Sequence, residues 1–457
     1  MLILLLVYSV ALVALGAWVG RAVRKTDDFF VGGRSLGAGL LFSTFMAANI
    51  GAGSTVNVAG LAYHNGLSAW WWNGSAGIGT LILAFWIGPK IWREASARGY
   101  LTVGDFLNDK FGPEVRGFST IVIWIGSLSI YAGQMIGAAA VLEVVGGVSR
   151  PVGAMIAAVV MTAYFVAGGL LSAAWVNRVQ LIVILTGFAF AAPIALSQAG
   201  GVAHAIAAVP DTTFFQGSSV STGWAMLFLM GPAFFLSPGL VQRAFAAKNE
   251  RVLRTGVAWS GVALMIFAWA PVALGVAAAS MFPDILSPDQ VLPTVLTQGV
   301  PWFVGGIALA AVFSAEISSA DAVLFMLSTS GARDLYRGYL KPTATDAEVL
   351  KMARAIAVAA GILGFGLVFV HETVIDALKT FYEVLGVTLL APILGGLYLP
   401  RGGRPAAMSA MLVGLAALFS VKWGLPAGAL GWVSPSLAGL ILSATTYVIV
   451  TVTRRQS

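Results

Sequence analysis

The sequence contains no cysteine, which excludes a disulfide framework, a cysteine-ligated metal and a thiol nucleophile. Histidine is almost as scarce: His64, His204 and His371 are the only three, and their separations match no metal-ligand spacing. Charge is thin as well, at 10% of 457 residues, where a soluble chain carries about a quarter. Water is therefore not the main solvent. In its place, 58% of the residues are hydrophobic, in runs of the roughly 20 residues that cross a hydrocarbon core about 30 Å thick as helix. The 54 glycines fit the same setting, because small residues let membrane helices approach closely. The formal charge of +7 is spread over short loops between apolar runs; with no separate basic domain, it argues for orientation in a bilayer and against nucleic acid. No nucleophile–base pair or metal cluster is evident, so an enzyme is not expected.

Apolar runs set against breaks predict an all-α polytopic protein with about thirteen transmembrane helices. They fall near 2–20, 36–63, 67–91, 117–145, 152–170, 174–196, 224–241, 257–281, 302–330, 355–370, 374–399, 406–421 and 432–452. Residues 1–20 lack a small-residue cleavage site ahead of a soluble domain and are expected to remain as a helix. Basic residues occupy alternate loops: Arg21, Arg24, Lys25 and Arg34; Lys90 to Arg116; Arg178; Arg243, Lys248, Arg251 and Arg254; and the segments after Ser330, Leu399 and Val452. Segments 199–223 and 282–301 carry none, and Arg150 and Lys422 are the main exceptions. Positive loops stay cytoplasmic, so the chain is expected in the cell inner membrane with its N-terminus outside and its C-terminus in the cytoplasm.

Two spans contain what a purely structural helix avoids. The second reads Met46-Ala47-Ala48-Asn49-Ile50-Gly51-Ala52-Gly53-Ser54-Thr55, and each glycine there costs helix about 1 kcal/mol relative to alanine. Either the glycines form a close-packing face, or the backbone unwinds at mid-membrane, where free carbonyls can take a cation. The ninth reads Ala315-Glu316-Ile317-Ser318-Ser319-Ala320-Asp321. Serines can bond to the preceding turn, but carboxylates at this depth cost a few kcal/mol or more and mark function by default. Ser318 and Asp321 share one face, Glu316 and Ser319 another.

At these residues the chain resembles the sodium/solute symporter family. Asp27-Asp28-Phe29-Phe30-Val31-Gly32-Gly33-Arg34 is similar to its D-(F/Y)-x-x-(G/A)-G-R segment. Gly168-Gly169-Leu170 with Trp175 and Gln180 resembles its G-G-(L/F)…W-T-D-x-x-Q signature, and Gln242-Arg243-Ala244-Phe245-Ala246-Ala247-Lys248 its Q-R-x-x-A-A-K segment. Ser318-Ser319 and Arg333-Asp334-Leu335-Tyr336 complete the order along nearly the whole chain. The resemblance implies a LeuT-like core of two inverted five-helix repeats: residues 1–35 as an extra helix and loop, 36–200 and 222–400 as the repeats, and 401–457 as two peripheral helices. Broken helices would hold solute and ion at the midplane.

By motif, the implied sodium ligands are Ala47, Ile50, Ala315, Ser318 and Ser319. The implied solute contacts are Asn49, Gly51, Ala52, Ser54, Trp72, Asn73, Gln134, Ser237 and Tyr382, with Glu383 beside them and Pro238 breaking the sixth core helix. The Trp70-Trp71-Trp72 run has an interfacial-belt reading too, and Gln134 that of a plain interhelical hydrogen bond. Asn177 stands where many members have the Asp of W-T-D, which favours one coupled sodium. Ser237-Pro238-Gly239 departs from the sugar-carrying members and favours an amino acid or small carboxylate. The expectation is a sodium-coupled importer of a small polar solute, functional as a monomer in the lipid bilayer. Its alternatives are a proton-coupled carrier of the same fold using Glu316 or Asp321, and a sugar or choline-type symporter.

Overall fold

The computed structural model describes residues 7–8, 10–11, 14, 18, 34–209, 213–216, 223–426, 429–430 and 433–454, apart from the side chains of 164 and 167–175. Among them the secondary structure is helical, with one isolated bridge between Leu36 and Ala247. Ten helical stretches are long and apolar enough to cross a membrane.

The helices that matter for the site are, in chain order, α1 (Ala38–Asn49), α2 (Val56–Asn65), α3 (Trp70–Ile82), α4 (Pro113–Gly146), α5 (Arg150–Gln198), α6 (Met226–Leu236), α7 (Pro238–Phe245), α8 (Pro288–Gln298), α9 (Trp302–Thr329) and α10 (Val374–Tyr398). Thirteen separate spans are not distinguished. The expected helices at 152–170 and 174–196 lie in the single 49-residue helical run α5, and the expected helix at 36–63 is two short ones, α1 and α2. The expected first span and the D-(F/Y)-x-x-(G/A)-G-R segment fall almost wholly outside the described residues, as do the side chains of Gly168 to Trp175.

The split between α1 and α2 follows from the glycines. Ile50 leaves the helix in an extended conformation (φ −101°, ψ 103°), and residues 51–55 turn before α2 begins. Backbone groups freed at that depth must find partners, and they do. The Ala52 N–H donates to Gln134 Oε1 on α4 at 2.9 Å, and Asn73 Nδ2 on α3 donates to the Ser54 carbonyl at 3.0 Å. Gly51 O accepts from both the amide (3.0 Å) and the hydroxyl (2.8 Å) of Thr55, and Ser54 Oγ returns to Asn49 O at 2.5 Å.

A second break has a different cause. Pro238 has no N–H to donate and disfavours helical geometry in the residue before it. Ser237 accordingly sits at φ −51°, ψ 122°, between α6 and α7. Across both breaks runs α9, whose most apolar window is 94% buried. It is the central post of the bundle, packed along α5, α4 and α1.

Two expectations about charged residues are corrected here. Arg243, assigned by its sequence to a cytoplasmic loop, is on α7 and only 1% exposed, because the break at Ser237 keeps this last turn inside the protein. Glu383, expected beside the solute contacts, instead receives Lys422 Nζ at 2.7 Å, because it follows Tyr382 on α10 and faces the C-terminal helices.

Candidate functional site

The end of α1 meets the middle of α9. An α-helix leaves its last carbonyls without intrahelical partners, and here two of them turn toward the serine pair. Ser318 Oγ lies 3.0 Å from Ala47 O and 3.1 Å from Ala315 O; Ser319 Oγ lies 3.4 Å from Ala47 O and 3.2 Å from Ala48 O. Four of the five expected ion ligands, Ala47, Ala315, Ser318 and Ser319, thus converge within hydrogen-bond distance. Ile50, the fifth, is fully buried at the first position out of the helix. Peptide and hydroxyl oxygens around a broken helix are the set that replaces the hydration shell of Na+.

Gly51 permits the approach: a Cβ there would stand 2.3 Å from Ser319 Oγ and 2.6 Å from Gln134 Oε1. The glycine read as a helix breaker is also a clearance device, which its sequence does not reveal.

Beside this cluster lies a small cavity of about 50 Å³. Of the expected solute contacts it is lined by Asn49, Ser237 and Tyr382; Phe234, Phe381 and Arg243 are among its other walls. Gly51, Ala52, Ser54, Trp72, Asn73 and Gln134 do not line it. Ala52, Ser54, Asn73 and Gln134 brace the break through the hydrogen bonds given above. Trp72, 2% exposed, sets its ring edge-on to Tyr382 at 6.1 Å between centroids.

Asn49 differs from the bracing residues. It is 5% exposed, and neither side-chain atom has a hydrogen-bond partner among the described residues. A buried amide left unpaired costs a few kcal/mol, so its persistence at a cavity wall points to a ligand. Arg243 is the member that sequence reasoning missed. Its Nε donates to Thr44 Oγ1 at 3.3 Å and its Nη1 to Gly239 O at 3.1 Å, while Nη2 has no partner among the described residues. The sole signal for it lay in the Q-R-x-x-A-A-K segment, following Pro238 closely enough to share the broken helix.

The two carboxylates on α9 are buried, Glu316 at 0% and Asp321 at 1% exposure. The Ala52 N–H and the Thr55 hydroxyl, which act on Glu316, bond to Gln134 and Gly51, and both carboxylate oxygens lack a hydrogen bond among the described residues. Asn177 and Gln180 on α5 are fully buried, with both amide atoms of each likewise unpaired. No group of three or more His, Cys, Asp or Glu with metal-site geometry occurs among the described residues.

The sequence profile described as "Sodium:solute symporter family" matches residues 29–414. The osmoregulated proline transporter OpuE of Bacillus subtilis is 25% identical over 96% of this chain and 94% of its own length. The high-affinity proline transporter PutP of the same organism is 23% identical over 88% of each, and a sodium/proline symporter of Staphylococcus aureus 24% identical over 95% and 86%. Among solved structures, a Na+-coupled sialic acid symporter in a substrate-bound outward-open state superposes with a TM-score of 0.85 at 17% identity, covering 99% of this chain and 97% of that one. The nucleobase-cation-symport-1 transporter Mhp1 follows the same fold at 0.63 and 15%, over 93% and 95%. With a profile spanning most of the chain, relatives aligned nearly end to end, and a LeuT-like fold around two broken helices, this multi-pass membrane protein belongs to the sodium:solute symporter family.

Proposed function

We propose that the protein imports a small polar organic solute, an amino acid or small carboxylate, across the cell inner membrane together with one Na+. Sodium-coupled solute symport is the activity of its family. The ion would be held by the Ala47, Ile50 and Ala315 carbonyls and the Ser318 and Ser319 hydroxyls. The solute would lie in the cavity walled by Asn49, Ser237 and Tyr382, one helix turn away. The observation that carries this reading is the approach of the serine hydroxyls to the Ala47 and Ala48 carbonyls at 3.0–3.4 Å.

An ion at that point ties the end of α1 to α9, and Asn49 belongs to the same turn of α1. Filling the ion site therefore orders the solute wall, and the two ligands favour one conformation together. Alternating access would follow from rocking of the repeats 36–200 and 222–400 about this site. The positively charged loops support an outside N-terminus and a cytoplasmic C-terminus, and the complete set of site residues within one chain supports a monomeric unit. The proline-carrying relatives favour the amino-acid branch.

Purified protein in proteoliposomes tests this. Uptake of labelled solutes should require an inward Na+ gradient and persist when the pH gradient is abolished. Uptake that ignores Na+ and follows the pH gradient would transfer coupling to protons, with the unpartnered Glu316 as the carrier to examine first.

A further inference from the structure

We infer that the solute carries a carboxylate and that Arg243 receives it, with Asp321 as the arginine's counter-ion. This rests on the cavity between α1, α6, α7, α9 and α10 being the solute site, and it fixes the chemical class that site selects.

Arg243 is 1% exposed and lines the cavity. Two of its nitrogens are held, Nε by Thr44 Oγ1 and Nη1 by Gly239 O. The Phe325 ring lies 5.5 Å from the guanidinium carbon. Those contacts fix the plane of the group and leave Nη2 without a partner among the described residues. A guanidinium is a preorganised fork that matches carboxylate geometry better than an ammonium does. Asn49, on the same cavity, adds an amide donor and a carbonyl acceptor that have no partner among the described residues.

A buried cation persists only if its charge is compensated. Asp321, 1% exposed on α9, interacts electrostatically with Arg243, yet the two form no ion pair within 4 Å among the described residues, and Asp321 Oδ2 has no hydrogen-bond partner. The aspartate thus balances the arginine without occupying its free donor. A salt bridge with direct contact would have closed the fork to a ligand.

The cavity's other polar side chains are Ser237 and Tyr382, while Ile130, Ala233, Phe234, Val323, Met326 and Phe381 offer no side-chain hydrogen bond; so few partners suit a small carboxylate better than a sugar, which needs one for each hydroxyl it buries. About 50 Å³ of free space suits a small apolar body. Charge gives a reason for coupling as well. With Arg243 and Asp321 already balanced, a carboxylate without an amine leaves the region negative and Na+ alone leaves it positive. Such an acid and Na+ together restore neutrality, so each should raise the affinity for the other, by about 10-fold as is common for coupled sites; a zwitterionic amino acid is neutral by itself and couples to Na+ only through the shared turn of α1.

Thermal shift of the purified full-length protein tests the inference. Acetate, pyruvate, glycine and L-proline are each compared with the matching amide, in Na+ and in K+. At least one acid should stabilise the protein in Na+, its amide should not, and Arg243→Gln should abolish the solute shift while the shift given by Na+ alone remains. Arg243→Lys should retain a weaker response, because charge survives without the fork. Should Arg243→Gln fold poorly, Arg243→Gln with Asp321→Asn removes both charges together and is read the same way. An amide that stabilises as well as its acid, an acid shift surviving in either Gln variant, or no response to any of the acids overturns the inference. Absence of a Na+ shift in the unaltered protein counts against the ion-coupled reading instead.

Discussion

The ion cluster and the solute cavity share α1 and α9, yet their polar atoms are treated in opposite ways. Around the break at residues 50–55 the freed backbone groups are paired: Gln134 with the Ala52 amide, Asn73 Nδ2 with the Ser54 carbonyl, and Thr55 with Gly51, although Asn73 Oδ1 and the Glu316 carboxylate have no partner among the described residues. Around the cavity Asn49 and the outer nitrogen of Arg243 are buried and have no partner among the described residues. Because a satisfied network rigidifies and an unsatisfied one is costly, the first set reads as a frame and the second as a surface prepared for a ligand. Residue type alone does not separate them, since Asn73 and Asn49 are the same amide in the two roles.

The largest effect expected from breaking this contrast is at Gly51. An added Cβ would stand 2.3 Å from Ser319 Oγ, and Gly51→Ala must push α1 away from α9. Overpacking of this kind costs about 1–3 kcal/mol, and here the strain falls on the ion ligands. Half-saturation by Na+ in uptake assays should rise by about 100-fold at the upper end of that cost. A variant with unaltered Na+ dependence would show that α1 and α9 do not hold the ion between them.

Gln134→Leu tests whether the frame is structural. It leaves the Ala52 N–H buried without an acceptor, a loss of about 1–3 kcal/mol. The thermal midpoint should fall, and Na+ should recover part of it by mass action. If Gln134 were a solute contact, affinity would change with stability intact. Ser319→Ala is milder and acts on the other property. Removing one oxygen from the ion shell costs about 1.5 kcal/mol, or about 10-fold in Na+ affinity, with folding nearly unchanged because Ser318 still bonds to Ala47 O.

How much of this was legible in the sequence depends on whether the signal was local. The glycines at 51 and 53 mark a break through their own cost in a helix, and Pro238 marks the second through its missing N–H. The serine pair and carboxylates of α9 stand out against an apolar run. Pairing is not local: nothing near Gln134 in sequence indicates that its partner is the Ala52 amide rather than a solute. Arg243 was misplaced for a related reason. One-dimensional reading assigns every basic residue after a span to the cytoplasmic loop, and the break at Ser237, which keeps this one inside, changes depth without changing composition. Gly168-Gly169 stand where the expected helices at 152–170 and 174–196 meet, yet one helix runs through them, so the residue type that breaks the chain at 51 and 53 does not break it here.

The smallest effect expected concerns what anchors the solute wall. Tyr382 and Phe381 lie on α10, whose first turn is tied to α8 by Asp289: its carboxylate accepts from the Val374 N–H at 3.2 and 3.4 Å. Asp289 lies outside the membrane-crossing helices. Burial pushes its carboxyl up to about 6, against the Val374 hydrogen bond and the charge of Arg150, which both lower it, while Asp376 raises it further. The folded protein therefore holds this proton more tightly than the unfolded chain, where the value is about 3.9. The resulting stability is fully present below about pH 4 and is lost as pH rises through about 6. Between pH 5 and 7 the loss is about 1 kcal/mol. Asp289→Asn keeps an oxygen for Val374 and removes the titration, so thermal midpoints of the unaltered protein should fall relative to this variant across that interval. Parallel pH profiles would show that the anchor is electrostatically silent and that the solute wall, unlike the ion cluster, is held by packing alone.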